Sequence, residues 1–189
     1  RANVRIRKKG KKFDIRLFVI HNSLPIPMGN GIQEADKFML KCNKSIYLSF
    51  LQEVKPDVIQ MHSLMGIHVE FLIAANELNI PIVYTTHDYY GLCPTINMFC
   101  DGRICTEPGQ RCHECSIHAY PDKRMVLEQS ELYRFYCHNM WLMQIMQWGF
   151  VRKLFKSIRS RQDVGKVKTH EVLSNCDYST LLKYYKKIF

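Results

Sequence analysis

Apolar and polar positions alternate from Phe13 to Ile20 (FDIRLFVI), with Ile15, Leu17 and Val19 on one face and Arg16, Phe18 and Ile20 on the other. That period of two predicts a strand, half to fully buried. The basic run before it, Arg5 to Lys12 around Gly10, reads as an exposed strand and turn, and Asn22 to Gly31, with Pro25, Pro27, Gly29 and Gly31, as a loop. The period then lengthens. Ile32, Ala35, Phe38, Met39, Cys42, Ile46, Phe50, Leu51 and Val54 recur at helical spacing, with a break expected near Asn43 and a stop at Lys55-Pro56.

From Pro56 the pattern becomes strand, helix, strand. Asp57 to Met61 is a short apolar run suited to a buried parallel strand. Gly66 opens a helix whose inward positions are expected at Val69, Leu72, Ile73, Ala75 and Leu78, ending near Asn79. Pro81 then begins a strand, IVYTT, at its first residue, where a missing N–H is tolerated. Two parallel strands joined by one helix make a βαβ unit, so the expected fold class is α/β: a Rossmann-like, open, mainly parallel sheet with flanking helices, in one domain over residues 1–189.

Met125 to Ser160 contains few breakers and reads as one long or two consecutive helices. Trp148, Val151, Leu154, Phe155 and Ile158 share one side of a helical wheel, with Arg152, Lys153, Lys156 and Arg159 opposite. Such a helix lies on an anionic membrane surface or packs on the sheet with a solvated basic face. The least charged run, Phe135 to Val151, carries His138, Asn139, Gln144 and Gln147, which favours a buried or interfacial helix over a spanning one. Val172 to Thr180 reads as a last short strand and turn before a Lys- and Tyr-rich end.

Composition changes this picture in two ways. Hydrophobic residues at 47% and charged residues at 23% suit a packed core and argue against disorder. The formal charge of +10 favours anionic partners: nucleic acid, acidic lipid or phosphorylated small molecules. No secretory signal opens the chain, so reduced thiols in a cytoplasmic protein are expected, with association at the cytoplasmic face of a membrane.

Candidate chemistry gathers where the strands end. His62 follows the first parallel strand and His87 the second, so both imidazoles emerge at one sheet edge, where they can give or take a proton or a hydrogen bond. Asp88 either orients a neighbour or caps a turn. Next comes a Cys-rich loop, residues 93–115, spaced C-x6-C-x4-C-x6-C-x2-C. The knuckle Cys112–Cys115, completed by Cys93 and Cys105 with Cys100 or His113 as substitutes, suits a tetrahedral structural zinc; an iron–sulfur cluster, a disulfide pair and unligated thiols remain open. Neither GxGxxG nor GxxxxGK[ST] occurs, and no RNA-recognition or zinc-finger pattern is present.

The run PDVIQMHSLMG…NIPIVYTTHDYYGLCP…GRIC…RCHEC resembles the N-terminal half of family 4 glycosyltransferases, in particular the subgroup with HDY-x3-CP followed by spaced cysteines. The resemblance covers residues 13 to 180, and SNCDYST is similar to the turn that closes that domain in the family. It implies a GT-B architecture: two Rossmann-like domains facing across a cleft, with the acceptor on the N-terminal side. The implied reaction is retaining transfer of a sugar from a nucleotide donor to a saccharide or lipid-linked acceptor in envelope polysaccharide or glycolipid assembly, with no essential catalytic metal. His87 matches the family histidine that points into the cleft near the transferred sugar. His62 matches the strand-end position of the preceding turn, and Asp88 and Tyr89 fall on the acceptor side.

Two departures go with this. The family's first strand and Gly-rich turn, and the donor-side domain with its E-x7-E motif, are not in these residues, so this stretch alone is expected to be inactive. The competing readings are a zinc-stabilised basic module binding nucleic acid, which leaves the βαβ pattern unexplained, and a non-catalytic interaction domain.

Overall fold

A computed structural model describes residues 3–27, 31–32, 34–100, 102–106, 112–116 and 178–186, and the single positions 127, 130, 133, 135, 138 and 139. The architecture is mixed α/β, with three small sheets of two strands each among these residues. The chain opens with an antiparallel hairpin, β1 (Arg5–Lys12) and β2 (Ile15–His21). Its turn lies at Phe13-Asp14, both at positive φ (49° and 65°), and not at Gly10 as the sequence suggests. Gly10 instead sits at a bulge, where the register slips between Lys8 and Gly10. An extra residue in one strand needs an unusual backbone angle there, and Gly10 supplies it at φ 152°.

The helical stripe breaks as expected. A short 3-10 helix, Ala35–Met39, is followed by α1 (Lys44–Val54), and Asn43 between them is the N-cap. Its carboxamide oxygen accepts the Ser45 backbone N–H at 3.1 Å and the Ser45 hydroxyl at 2.8 Å. At the other end Lys55 turns left-handed (φ 49°), and its N–H closes on the Leu51 carbonyl. Asn43→Ala is expected to cost about 1 kcal/mol, the usual worth of a side-chain cap, read as a lowered urea midpoint at unchanged slope.

The strand–helix–strand unit is present as β3 (Ile59–Met61), α2 (Val69–Glu77) and β4 (Ile82–Tyr84). β3 and β4 are parallel, with Ile59, Gln60 and Met61 opposite Ile82, Val83 and Tyr84. The expected inward face of α2 holds at Ala75, which is buried, and at Leu72 and Leu78, which pack partly buried against the cores, but not at Ile73. Ile73 is 45% exposed, whereas Glu70 and Ala74, not among the expected inward positions, are buried. Alanines at the contact let α1 pack closely on α2. Glu70 tolerates burial because its carboxylate accepts the Cys42 thiol at 3.7 Å. β3 and β4 are also less covered than a central sheet would be: Val58, Ile82 and Val83 are exposed, Val83 at 51%.

The Cys-rich segment forms a minimal hairpin, β5 (Phe99–Cys100) with β6 (Arg103–Ile104), then one helical turn, α3 (Cys112–Cys115). The expected terminal strand and turn is overturned where it can be seen. Ser179 and Thr180 lie in a helix, α4 (Tyr178–Lys186). Tyr178, Leu181, Leu182 and Tyr185 recur at helical spacing and are all buried, so the apolar period here is helical and not two. The amphipathic segment 148–159 and residues 172–177 lie outside the described residues.

Two cores hold these elements. One joins Val4, Cys42, Tyr47, Leu51, Ala74 and Ala75 beneath the hairpin, α1 and α2. The other joins Ile32, Phe38, Met61, Leu64, Tyr90, Cys112, Tyr178, Leu181 and Tyr185, beneath the strand ends. Ile59 and Phe71 pack against both, so the βαβ unit is their common wall.

Candidate functional site

The parallel register fixes the first pair of functional side chains. Met61 and Tyr84 are opposite each other at the strand ends, and the Thr85 N–H carries the ladder one bond further to the Met61 carbonyl at 2.9 Å. His62 and His87 follow, and Nδ1 of His62 lies 2.9 Å from Nε2 of His87. The rings are stacked, with centroids 5.2 Å apart and planes 20° from parallel. Both side chains are exposed. At that distance one nitrogen carries the hydrogen and the other offers its lone pair, so the contact couples the two tautomers. It leaves Nε2 of His62 and Nδ1 of His87 outside the bond.

The loop after β4 is held from within and from below. The Asp88 carboxylate accepts the Tyr90 N–H at 2.8 Å, which assigns Asp88 to the turn. Tyr89 is half exposed beside it, and its backbone carbonyl accepts the N–H groups of Leu92 and Cys93. Tyr90 points down into the core, where its hydroxyl is hydrogen-bonded to that of Tyr185 on α4. Burial pushes both phenols well above the ordinary tyrosine range, so neither ionises near neutral pH.

Two contacts tie the loops after β3 and β4 to the segment after β2. Gly31, at φ 104°, leaves no room for a side chain: a Cβ would lie 2.7 Å from the Pro94 carbonyl oxygen. Leu24 donates its N–H to the Gly66 carbonyl at 3.1 Å, which ties the loop after β2 to the turn after β3. The segment after β2 is thus tied at Leu24 and Gly31 to the loops that follow β3 and β4.

The cysteines assemble only in part as their spacing suggests. Cys93 and Cys112 are buried, and the Cys93 sulfur lies 3.2 Å from the Thr95 hydroxyl. Cys115 is hydrogen-bonded to Cys100 and lies near Cys112 and Cys93. Burial first, and these neighbouring thiols next, push the Cys115 thiol up to about 12. Cys100 thus lies beside Cys115, and the Cys105 backbone N–H bonds the Met98 carbonyl at 2.7 Å. Among the described residues no three His, Cys, Asp or Glu side chains stand close enough to hold a metal ion as they are.

One polar cluster has no counterpart in the sequence reading. His68, the residue before α2, is completely buried, with Nδ1 3.2 Å from the Tyr47 hydroxyl and no hydrogen-bond partner for Nε2 among the described residues. Glu70 and Cys42 lie beside it, and burial with the Glu70 charge pushes the Cys42 thiol up to about 12. Burial lowers the His68 pKa below its usual 6.5, against the opposing pull of Glu70. Folded and unfolded states are both neutral at this residue above pH 6.5. As pH falls through that value the unfolded chain takes the proton first, and stability is lost until the pH is below the folded value. The fall in Tm between pH 7.5 and 5 should therefore be smaller in His68→Gln than in the parent; an unchanged fall would count against a buried neutral His68.

No helix among the described residues is long and apolar enough to cross a membrane. No family model, curated protein or solved structure matches the chain.

Proposed function

We propose that the chain is the acceptor-binding side of a retaining glycosyltransferase that uses a nucleotide-sugar donor, acting in the assembly of an envelope polysaccharide or glycolipid. The observation that carries this reading is the His62–His87 pair at the ends of two adjacent parallel strands. Ligands in open α/β folds bind outside the carboxyl ends of the strands, where side chains converge on a crevice. There the outward nitrogens of a coupled imidazole pair can hold a sugar hydroxyl as both donor and acceptor. Exposed Val58, Ile82 and Val83 support a wider, Rossmann-like sheet than the two strands alone, since apolar strand faces are ordinarily covered in parallel sheets.

In this reading the donor nucleotide belongs to a second domain carrying E-x7-E. The test is reconstitution with a nucleotide sugar and a lipid-linked or saccharide acceptor. Transfer is expected from a polypeptide that joins this chain to such a domain, and none from these 189 residues alone. Turnover by the 189 residues alone, or none by the joined polypeptide, would overturn the reading.

The cysteine loop is read as a lid fixed by structural zinc on Cys93, Cys112 and Cys115, with a fourth thiolate from Cys105 or Cys100. Zinc would let a loop with few apolar side chains hold one shape, because ligand binding supplies folding free energy. Metal analysis should find about one zinc per chain. Cys105→Ser and Cys100→Ser then separate the two ligand sets, since only the true fourth ligand lowers zinc content. Metal-free protein with all loop thiols reactive would remove zinc from the reading.

A further inference from the structure

The hairpin is built differently on its two faces. Val4, Ile6, Phe18 and Ile20 face α1, with the Phe18 ring edge-on to Phe50 at 5.0 Å. Cross-strand pairing then places Ile15, Leu17 and Val19 on the other face, opposite Lys12, Gly10 and Arg7. An apolar column and a cationic column thus lie side by side on the face turned away from the helix. At the tip Phe13 is 87% exposed and Ile15 64%. Residues 5 to 21 hold seven lysines and arginines, all exposed, against one acid, Asp14, which is paired with Lys11.

The turn itself points the same way. Positive φ at both turn positions favours Asn, Asp or Gly, and a phenylalanine there is conformationally unfavourable. Among the described residues Phe13 has no packing that would explain it; its ring lies 5.5 Å from the Lys12 ammonium. A protruding aromatic tip ringed by lysines has the composition of an interfacial anchor, with the ring among the acyl chains and the ammonium groups at the phosphate level.

We propose that the β1–β2 hairpin docks on an anionic lipid bilayer, with Phe13 and Ile15 inserted and Arg7, Lys9 and Lys12 against the lipid phosphates. The charge excess selects an anionic over a neutral surface, and the exposed apolar tip selects a bilayer over a nucleic acid. This site is separate from the histidine edge, so its failure leaves the proposed function standing, and the reverse also holds.

The test is co-sedimentation of the whole chain with vesicles of phosphatidylcholine alone and of an equimolar mixture with phosphatidylglycerol. Binding is expected on the mixed vesicles and to weaken with salt. Arg7→Gln, Lys9→Gln and Lys12→Gln should each weaken it about fivefold at low salt. Phe13→Asn, which suits the turn better and so keeps the hairpin folded, should weaken it several-fold without reducing Tm. Equal binding to neutral vesicles, unchanged binding by Phe13→Asn, or binding to single-stranded RNA with no binding to mixed vesicles would each overturn the proposal.

Discussion

On the proposed reading, replacing His87 with alanine in a polypeptide that joins this chain to a donor-side domain is expected to lower sugar transfer by about 100- to 10,000-fold, the range for removing a positioned group that moves a proton. The folded chain should barely register the change, because the side chain is exposed at a strand end and surface substitutions usually stay within about 0.5 kcal/mol. His62→Ala removes the contact that ties the His87 ring to the neighbouring strand, Nδ1 to Nε2 at 2.9 Å. Its effect should run the same way and be smaller. The double variant should be scarcely worse than His87→Ala alone, since groups that act as a unit are strongly non-additive. His62→Gln, whose carboxamide can still reach a ring nitrogen, should recover part of the loss. The measurement is initial rate against acceptor concentration with saturating nucleotide sugar. Transfer by His87→Ala within a fewfold of the parent would remove the histidine pair from the reaction.

That pair was legible from the sequence because parallel strands force it. With Met61 and Tyr84 in register, whatever follows each strand emerges at the same edge. The break at Asn43 was legible for a similarly local reason, since a residue that can cap a helix sits between two helical stripes. Less local features were not. The burial of Glu70 on α2 is one of them, because no periodicity rule allows it until its partner Cys42, 28 positions away, is known. Gly10 looks like a turn residue by itself, but the register with β2 makes it a bulge and passes the turn to Phe13-Asp14. The choice between Cys100 and Cys105 beside Cys115 depends on how the β5–β6 hairpin folds back, which cysteine spacing does not encode. His68 carried no motif; its burial comes from α1 packing over α2, with Tyr47 against it.

The largest stability effect is expected at Tyr90, which links the histidine edge to the core. Its ring is 2% exposed and packs edge-on to Tyr185, with centroids 4.9 Å apart, while the backbone one turn above carries His87 and Asp88. Tyr90→Ala deletes the ring beneath the loop and leaves the Tyr185 hydroxyl buried without its partner. Losing the buried ring and leaving a cavity together cost about 3–5 kcal/mol for a large aromatic, and an unpaired buried hydroxyl adds about 1–3 kcal/mol. Against a total stability of about 5–15 kcal/mol, Tyr90→Ala should be mostly unfolded or strongly shifted in urea. Tyr90→Phe separates the two contributions, because it keeps the ring and removes only the hydroxyl. The Tyr90→Phe/Tyr185→Phe double variant removes both hydroxyls and so leaves none unpaired, and it should be more stable than either single change. A double variant as unstable as the sum of the singles would mean that the two hydroxyls contribute independently, and that α4 does not hold the His87 loop through this bond.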